Sequence, residues 1–472
     1  MKKIILLFTL FLAACGGGSS SSPSQSFTPK STPPIPKVTI TGQVYSDSGN
    51  MDCDVIEYKG QSYKCKSPFS INIEEPNYSK ITFKKDGFIP TSVVIKNERN
   101  LNIKMYPETT VNQRSGFTKG TVFLDLANTY PVSFWEKIIA DPKDNNSNIV
   151  SYVDVGFNSS CDLTNHSVNV SSVNPLYPDW RMSTEAELKL MVDKVHAEGM
   201  QFNLWMGVVN IEGCYNLYEV PASDTQFWDD WFSDYKQIMV ERAGIAKRLG
   251  IEWMTLGHNM EYVTRLSKSK WEEITTAMRA VYPEVKLAYF GGVNITEDPS
   301  YFESDYYNEG NPAGFAELFD AIGHCVMSLS PVHDPTISDL KDGFSLLHEQ
   351  TKDLNVPIWV LIMTPSTSEG TYDSTFMEPE LLTDTIAENY TKNYTRQADV
   401  YEALFEFINA TPTGNGEFMG VLTWGYHLRD NYRDTGPESN SNPNVNNLIV
   451  DKTANIRGKP ADSILSWWFN KI

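Results

Sequence analysis

The chain has 472 residues, more than one ordinary domain needs, which predicts two folded units or one large barrel with an appendage. Its formal charge of −20, from 59 acidic and 39 basic side chains, argues against a basic surface that would bind nucleic acid. Aromatic residues make up 12% of the chain. Because Trp and Tyr rings offer flat apolar faces that suit uncharged sugars, a carbohydrate is the partner that this composition favours.

Residues 1–15 read MKKIILLFTLFLAAC and predict an export signal. Two lysines precede the apolar run Ile4–Leu12, which is too short to span a bilayer, since spanning takes about 20 apolar residues. The sequence Leu-Ala-Ala-Cys resembles the lipobox of bacterial lipoproteins, which implies that Cys15 carries the lipid anchor. Gly16 stands where an Asp would retain a lipoprotein at the inner membrane. The resemblance therefore implies the outer membrane, on its periplasmic or its exposed face, with the lipid as the sole membrane contact.

Residues 16–37 are rich in Gly, Ser and Pro, which is typical of a flexible tether. Residues 38–108 alternate apolar and polar side chains in short runs separated by Gly, Asn, Asp and Pro, which predicts a small β-sandwich. The patterns I-x-G-x-V, S-P-F and K-D-G-F-x-P in this part resemble the carboxypeptidase-regulatory-like family. That resemblance implies a spacer or accessory module.

Residues 116–472 alternate short apolar runs with amphipathic helical stretches, a pattern typical of βα units. In STEAELKLMVDKVHAEG, for example, Ser183 or Thr184 can cap a helix that Gly199 ends. The apolar runs are TVFLDLA, IVSYVDVGF, MQFNLWMGV, IEWMTLGHN, VKLAYFGGV, FDAIGHCVMSL, VPIWVLIMTP and FMGVLTWGY. Eight such repeats predict an α/β fold, a (β/α)8 TIM barrel. An open doubly wound sheet is the alternative, but the chain lacks the glycine-rich phosphate-loop motifs that would support it.

Export places the cysteines in an oxidising compartment, where disulfides form. Four of them form two predicted disulfides, Cys53–Cys65 across a hairpin-like segment and Cys161–Cys214 between loops after neighbouring barrel strands. The remaining Cys325 lies in an apolar run, which predicts a buried thiol. No zinc-binding motif appears, so we expect neither a metal nor a cofactor. We also expect a monomer.

The carboxyl ends of barrel strands meet at one mouth, which is where the active sites of such barrels lie. Flat aromatic faces and hydrogen-bonding groups at these ends suit a sugar. The candidate substrate-binding residues are Asp125, Asp154, Trp205, His258, Asn259, Tyr289, His324, Trp424, Tyr426 and His427.

The barrel resembles the clan-A glycoside hydrolases, closest to the β-mannanases of family 113. The stretches that carry the resemblance include TEAELKLMVDKVHAEGMQFNLWMGV, FWDDWFSDYKQIMVERAGIAKRLGIEWMTLGHNMEYV and GVLTWGYHLRDN. It covers residues from about 119 to 472 and implies hydrolysis of a glycosidic bond without a cofactor.

The sequence departs from the family at both catalytic positions. The family carries its acid/base Glu in a G-x-E motif after strand 4, whereas this chain reads Gly257-His258-Asn259 with a carboxylate at Glu261. The family's nucleophile ends strand 7, where the run from 360 to 364 has no carboxylate and the next one is Glu369. Hydrolysis needs two carboxyl groups, about 5 Å apart with retention and roughly 6.5–9.5 Å with inversion of configuration.

Two hypotheses follow from these departures. In the first, the protein is an exported glycoside hydrolase with Glu261 as proton donor and Glu369 as second carboxylate, for which Asp125 and Asp154 are alternatives. In the second, the barrel binds glycan without cleaving it, which the absence of a carboxylate at both expected positions supports. A structural surface lipoprotein without a ligand is a third hypothesis, and the aromatic residues at the mouth count against it.

Overall fold

The computed structural model describes residues 36–74, 79–95, 98–124, 139–158, 170–172, 181–210, 220–221, 223–258, 268–293, 315–326, 335–368, 391–426 and 452–472. The predicted signal, Cys15 and most of the tether lie outside the described residues. In the described ranges, no helix combines the length and the apolar composition that crossing a lipid bilayer requires.

Two small sheets form the N-terminal module, which we define as Lys37–Lys104. The first contains β1 (Lys37–Ser46), β2 (Gly49–Asn50), β5 (Phe69–Glu74) and β8 (Asn100–Lys104), and the second β3 (Val55–Tyr58), β4 (Gln61–Lys64), β6 (Ser79–Lys84) and β7 (Thr91–Ile95). Alternate side chains of both sheets enter one hydrophobic core, as the alternating pattern predicted. The predicted disulfide Cys53–Cys65 is confirmed, with its Cα atoms 5.1 Å apart.

Eight parallel strands close into a barrel, because the first of them pairs with both the second and the last. The barrel strands are β9 (Thr118–Leu124), β10 (Ile149–Asn158), β12 (Gln201–Asn210), β13 (Trp253–His258), β14 (Lys286–Val293), β15 (Ala321–Val326), β16 (Ile358–Ile362) and β17 (Phe418–Thr423). The two-residue β11 (Val170–Ser171) adds to β10 in antiparallel orientation. This architecture confirms the predicted (β/α)8 barrel.

The surrounding helices follow the apolar periodicity of the sequence. The described helices are α1 (Ala140–Asp144), α2 (Glu185–Ala197), α3 (Thr225–Leu249), α4 (Lys268–Val281), α5 (Ile337–Thr351), α6 (Tyr394–Ala410) and α7 (Pro460–Lys471). In α2 the side chains of Thr184 and Glu187 form a reciprocal capping box, which satisfies backbone donors at the helix start. One apolar face of α2, formed by Leu188, Met191, Val192 and Val195, is buried.

The barrel interior is filled by the side chains that point inward from the strands. Trp253 and Trp359 meet with their ring centroids 4.5 Å apart, and Trp205 meets Phe290 at 4.3 Å. A β-carbon at Gly323 would lie 2.1 Å from the Phe290 ring, so the strand needs glycine at this position. The interior is therefore a packed aromatic core.

The N-terminal module docks on α6 and α7 through buried charges and backbone hydrogen bonds. The Lys104 ammonium group lies 2.8 Å from Asp399 on α6 and 2.6 Å from Asp47 of the module. The Tyr106 hydroxyl donates to the same Asp399 carboxylate at 2.7 Å. The backbone N–H of Val94 donates to the carbonyl of Gly458 at 2.7 Å. These contacts fix the module against the barrel.

We expect Lys104→Met to lower the free energy of unfolding by about 3 kcal/mol, because removing one partner leaves the buried Asp399 carboxylate without its cation. Urea denaturation followed by circular dichroism measures the change. The matched control is Lys189→Met, which breaks an exposed pair with Asp193 and is expected to change stability by less than about 0.5 kcal/mol. Equal effects of the two substitutions would contradict a structural role for the Lys104 contacts.

Candidate functional site

The described floor of the barrel mouth is apolar. Its inward-facing side chains belong to one buried cluster, which includes Trp205, Phe290, Cys325, Met363 and Trp424. All of them are at most 6% exposed. Two of the predicted substrate-binding residues, Trp205 and Trp424, therefore lie together inside the barrel and line its axis.

The end of β16 carries Met363 at the inward-facing position, where the resemblance would place a nucleophile. Within the described strand residues, no inward-facing position carries a carboxylate. The carboxylate of Asp154, on β10, points outward because its neighbours Val153 and Val155 face the barrel axis. The carboxyl groups that hydrolysis needs would thus have to come from loops at the mouth.

Asp154 lies in the layer between strands and helices. Its carboxylate accepts a hydrogen bond from the Ser183 backbone N–H at 2.8 Å and lies 3.4 Å from the guanidinium of Arg242 on α3. Burial raises the pKa of Asp154 to about 6, although the Arg242 charge and the Ser183 hydrogen bonds oppose the shift. Arg242 also donates to the Ser183 carbonyl at 2.6 Å. In the structure Asp154 joins β10 to the residues that precede α2 and to α3.

Three further predicted residues also face the helix layer. Tyr289 packs edge-on against Trp271 of α4, with ring centroids 5.1 Å apart. Tyr426 accepts a hydrogen bond from Asn145 at 3.1 Å and donates one to an Asp462 oxygen at 2.5 Å. His324 lies on the outward side of β15, between residues of the main hydrophobic cluster, and is 1% exposed.

The remaining predicted site residues lie outside the described residues. They are Asp125, Asn259, Glu261, Glu369 and His427, and the side chain of His258 belongs with them. The second predicted disulfide, Cys161–Cys214, also lies outside the described residues. These assignments stay predictions.

A buried hydrogen-bond network holds the chain directly after β16, and the sequence pattern did not predict it. Gln397 of α6 donates to the carbonyls of Thr364 at 2.9 Å and Ala454 at 3.1 Å. Lys459 donates to the hydroxyl of Ser366 at 2.8 Å. The donors come from distant parts of the chain, so no local motif indicated them. This network fixes the backbone shortly before Glu369.

The described residues contain no group of three or more His, Cys, Asp or Glu side chains arranged to hold a metal ion. The described part of the mouth therefore supplies a buried apolar base, above which the residues of the loops would meet a ligand.

Comparison with known proteins finds similarity in part of the barrel sequence and in the barrel fold. Residues 160–290 match the model of Glycoside Hydrolase Family 113. A solved family 113 β-1,4-mannanase complex is 17% identical, with a TM-score of 0.55 over 75% of this chain and 99% of that chain. The family 113 β-mannanase of Alicyclobacillus acidocaldarius, in complex with ManMIm, is 18% identical, with a TM-score of 0.54 over 75% and 97% of the two chains. These structures share the barrel fold. No curated protein sequence matches the chain.

His324 predicts a pH dependence of stability. Burial lowers its pKa from 6.5 to about 4, so the folded state resists protonation that the unfolded chain accepts. The contribution of His324 to the free energy of unfolding is therefore present above pH 6.5 and is lost as the pH falls toward 4. Between pH 7.5 and pH 5.0 this residue alone should account for a loss of about 2 kcal/mol.

We expect His324→Asn to remove that part of the pH dependence, measured by urea denaturation at both pH values. The control is Val326→Ala, a buried outward-facing position on the same strand, which should lower stability equally at both pH values. The same loss between pH 7.5 and 5.0 in His324→Asn as in the wild type would refute the assignment.

Proposed function

We propose that the protein is an exported, lipid-anchored glycoside hydrolase that cleaves a β-linked poly- or oligosaccharide at the mouth of its barrel. The observation that carries the proposal is the family 113 match, which runs through β13 and the position of Glu261. The packed apolar base formed by Trp205, Phe290 and Trp424 supports it, because a mouth built on a rigid, water-free base can hold its loop residues in place. Since the similar solved structures are β-mannanases, β-mannan is the first substrate to test.

In this mechanism Glu261 protonates the glycosidic oxygen as the bond to the leaving sugar breaks. Glu369 acts as the second carboxylate, either as a nucleophile on the anomeric carbon or as a base on water, according to its distance from Glu261. Asp125 is the alternative for this role. Asp154 is a poorer alternative, because its carboxylate is engaged with Ser183 and Arg242 behind the strand.

The described surroundings suit such chemistry. An apolar floor disfavours a charged carboxylate near it, which would raise the pKa of a general acid and keep it protonated. The network around Gln397 and Lys459 holds the backbone that leads to Glu369, so this carboxylate would start from a fixed point.

The second candidate function is glycan binding without hydrolysis. The observation that favours it is Met363, which occupies the inward-facing position at the end of β16 without a carboxylate. In that case the mouth would bind the sugar and release it unchanged.

We expect Glu261→Gln to lower the rate of β-mannan hydrolysis at least about 100-fold, because a general acid contributes that much or more. A reducing-end assay measures it. The matched control is Glu272→Gln on the exposed face of α4, which should keep the wild-type rate. Turnover that survives Glu261→Gln would remove this residue from the acid role. Binding of glycans by the wild type without turnover of any would favour the second function.

Lipid anchoring has a separate test. In cells that process lipoproteins, wild-type protein should take up labelled fatty acid and fractionate with the outer membrane, whereas Cys15→Ala should do neither. Ser19→Ala in the adjoining tether is the matched control and should behave as the wild type. Equal labelling of the Cys15→Ala variant would contradict the anchor.

A further inference from the structure

A cleft of about 600 Å³ lies between the N-terminal module and α7. Lys80, Ser92 and Val94 line it from the module, and Ser466, Trp467 and Asn470 line it from α7. We call it the lateral cleft. Its volume falls in the range of small-molecule sites, which is about 300–1,000 Å³, and sites of this kind favour the junction between domains.

The lateral cleft lies on the outer side of α7. Helix α7 buries Ile464, Leu465, Trp468 and Phe469 against the barrel. The residues of α7 that line the cleft, at positions 462, 463, 466, 467 and 470, follow the spacing of a single helix face. This second face points away from the barrel core, and one of its members is a tryptophan.

Trp467 is held in place although it is only partly buried. Its ring packs against the Trp468 ring in a T-shaped arrangement, with centroids 5.0 Å apart and planes at 89°. The Lys471 ammonium group, which does not line the cleft, lies 5.9 Å from the ring centroid. A ring fixed in this way offers part of its surface to the cleft at little cost in conformational entropy.

The walls are joined by hydrogen bonds across the domain junction. The Ser92 backbone N–H donates to the Ser463 hydroxyl at 3.0 Å, and the Val94 N–H donates to the Gly458 carbonyl at 2.7 Å. The cleft is therefore formed before a ligand arrives, which lowers the entropy lost on binding.

The charges that line the cleft cancel. They are Lys80, Arg457 and Lys459 against Asp141, Asp144 and Asp462. Arg457 pairs with the buried Asp141 at 2.6 Å, and Asp462 accepts hydrogen bonds from Tyr426 and the Gly458 N–H. A lining with no net charge attracts neither anions nor cations strongly. It suits an uncharged ligand that carries hydroxyl groups.

We propose that the lateral cleft binds an uncharged oligosaccharide. One sugar ring lies on Trp467, and the adjoining sugars lie within reach of the Ser466 hydroxyl and the Asn470 amide. This is a second glycan site, separate from the barrel mouth, and it requires no chemistry there. It would hold a polysaccharide chain against the protein whether or not the mouth cleaves it.

Electrophoresis in native gels that contain galactomannan, glucomannan, xyloglucan or mixed-linkage β-glucan selects the ligand, and pectin serves as the anionic comparison. Calorimetry with a hexasaccharide of the selected glycan, in a Glu261→Gln background that prevents turnover, then counts the sites. We expect Trp467→Ala to weaken the lateral site by about tenfold or more, the loss of one aromatic contact. Ser466→Arg, which fills the cleft instead of removing the ring, should abolish one site per molecule.

The control is Leu346→Ala, a 57% exposed apolar position on α5, which should keep the number of sites. Melting temperatures show whether each variant folds. If Trp467→Ala does not fold, the Ser466→Arg variant provides the test. An unchanged number of sites in both cleft variants overturns the proposal, as does retardation by pectin alone or by no glycan. Hydrolysis rates on a short soluble substrate report on the mouth separately, so the two proposals can fail independently.

Discussion

Closure of the parallel sheet is the constraint on which the other features depend. Once β9 pairs with both β10 and β17, each barrel strand has one face toward the axis and one toward the helices, and none of the eight barrel strands is left as an edge. The axis must then be filled without gaps. Trp253, Trp359 and Phe290 supply the volume, while Gly323 leaves room for the Phe290 ring. The mouth consequently rests on a rigid apolar base.

Closure also divides the polar residues of the strands. Ser151, Asn203 and Thr255 point inward and form a hydrogen-bonded chain across three neighbouring strands, so their burial inside the barrel is compensated. Asp154 points outward and meets Arg242, whose guanidinium also holds the Ser183 carbonyl. These three inner groups are neutral, whereas the Asp154 carboxylate faces the helix layer, which supplies Arg242 as its counter-charge.

The sequence predicted the barrel well and the site only in part, and one property of parallel sheets explains the difference. Their strands are buried on both faces, so runs such as IVSYVDVGF mark a strand without showing which residues face the axis. Tyr289 and His324 were predicted from their nearness to strand ends, yet their parity turns them toward the helices. Trp205 and Trp424 have the opposite parity and reach the interior. The donors of Gln397 and Lys459 lie far along the chain from Thr364 and Ser366, so only the folded structure joins them.

The hydrogen bond from Val94 to Gly458 bears on how the chain can be divided. Strand β7 is an edge strand of its sheet. Its backbone N–H groups at Val94 and Ser92 donate to Gly458 and Ser463 of the barrel domain. A module cut away from the barrel would present that strand bare to solvent, and an uncovered strand recruits further strands. The barrel alone would lose the cover over Gly458 and the counter-charge of Asp399. The module and the barrel thus each cover surface of the other, and shortened forms of this protein would be prone to self-association at the cut surface.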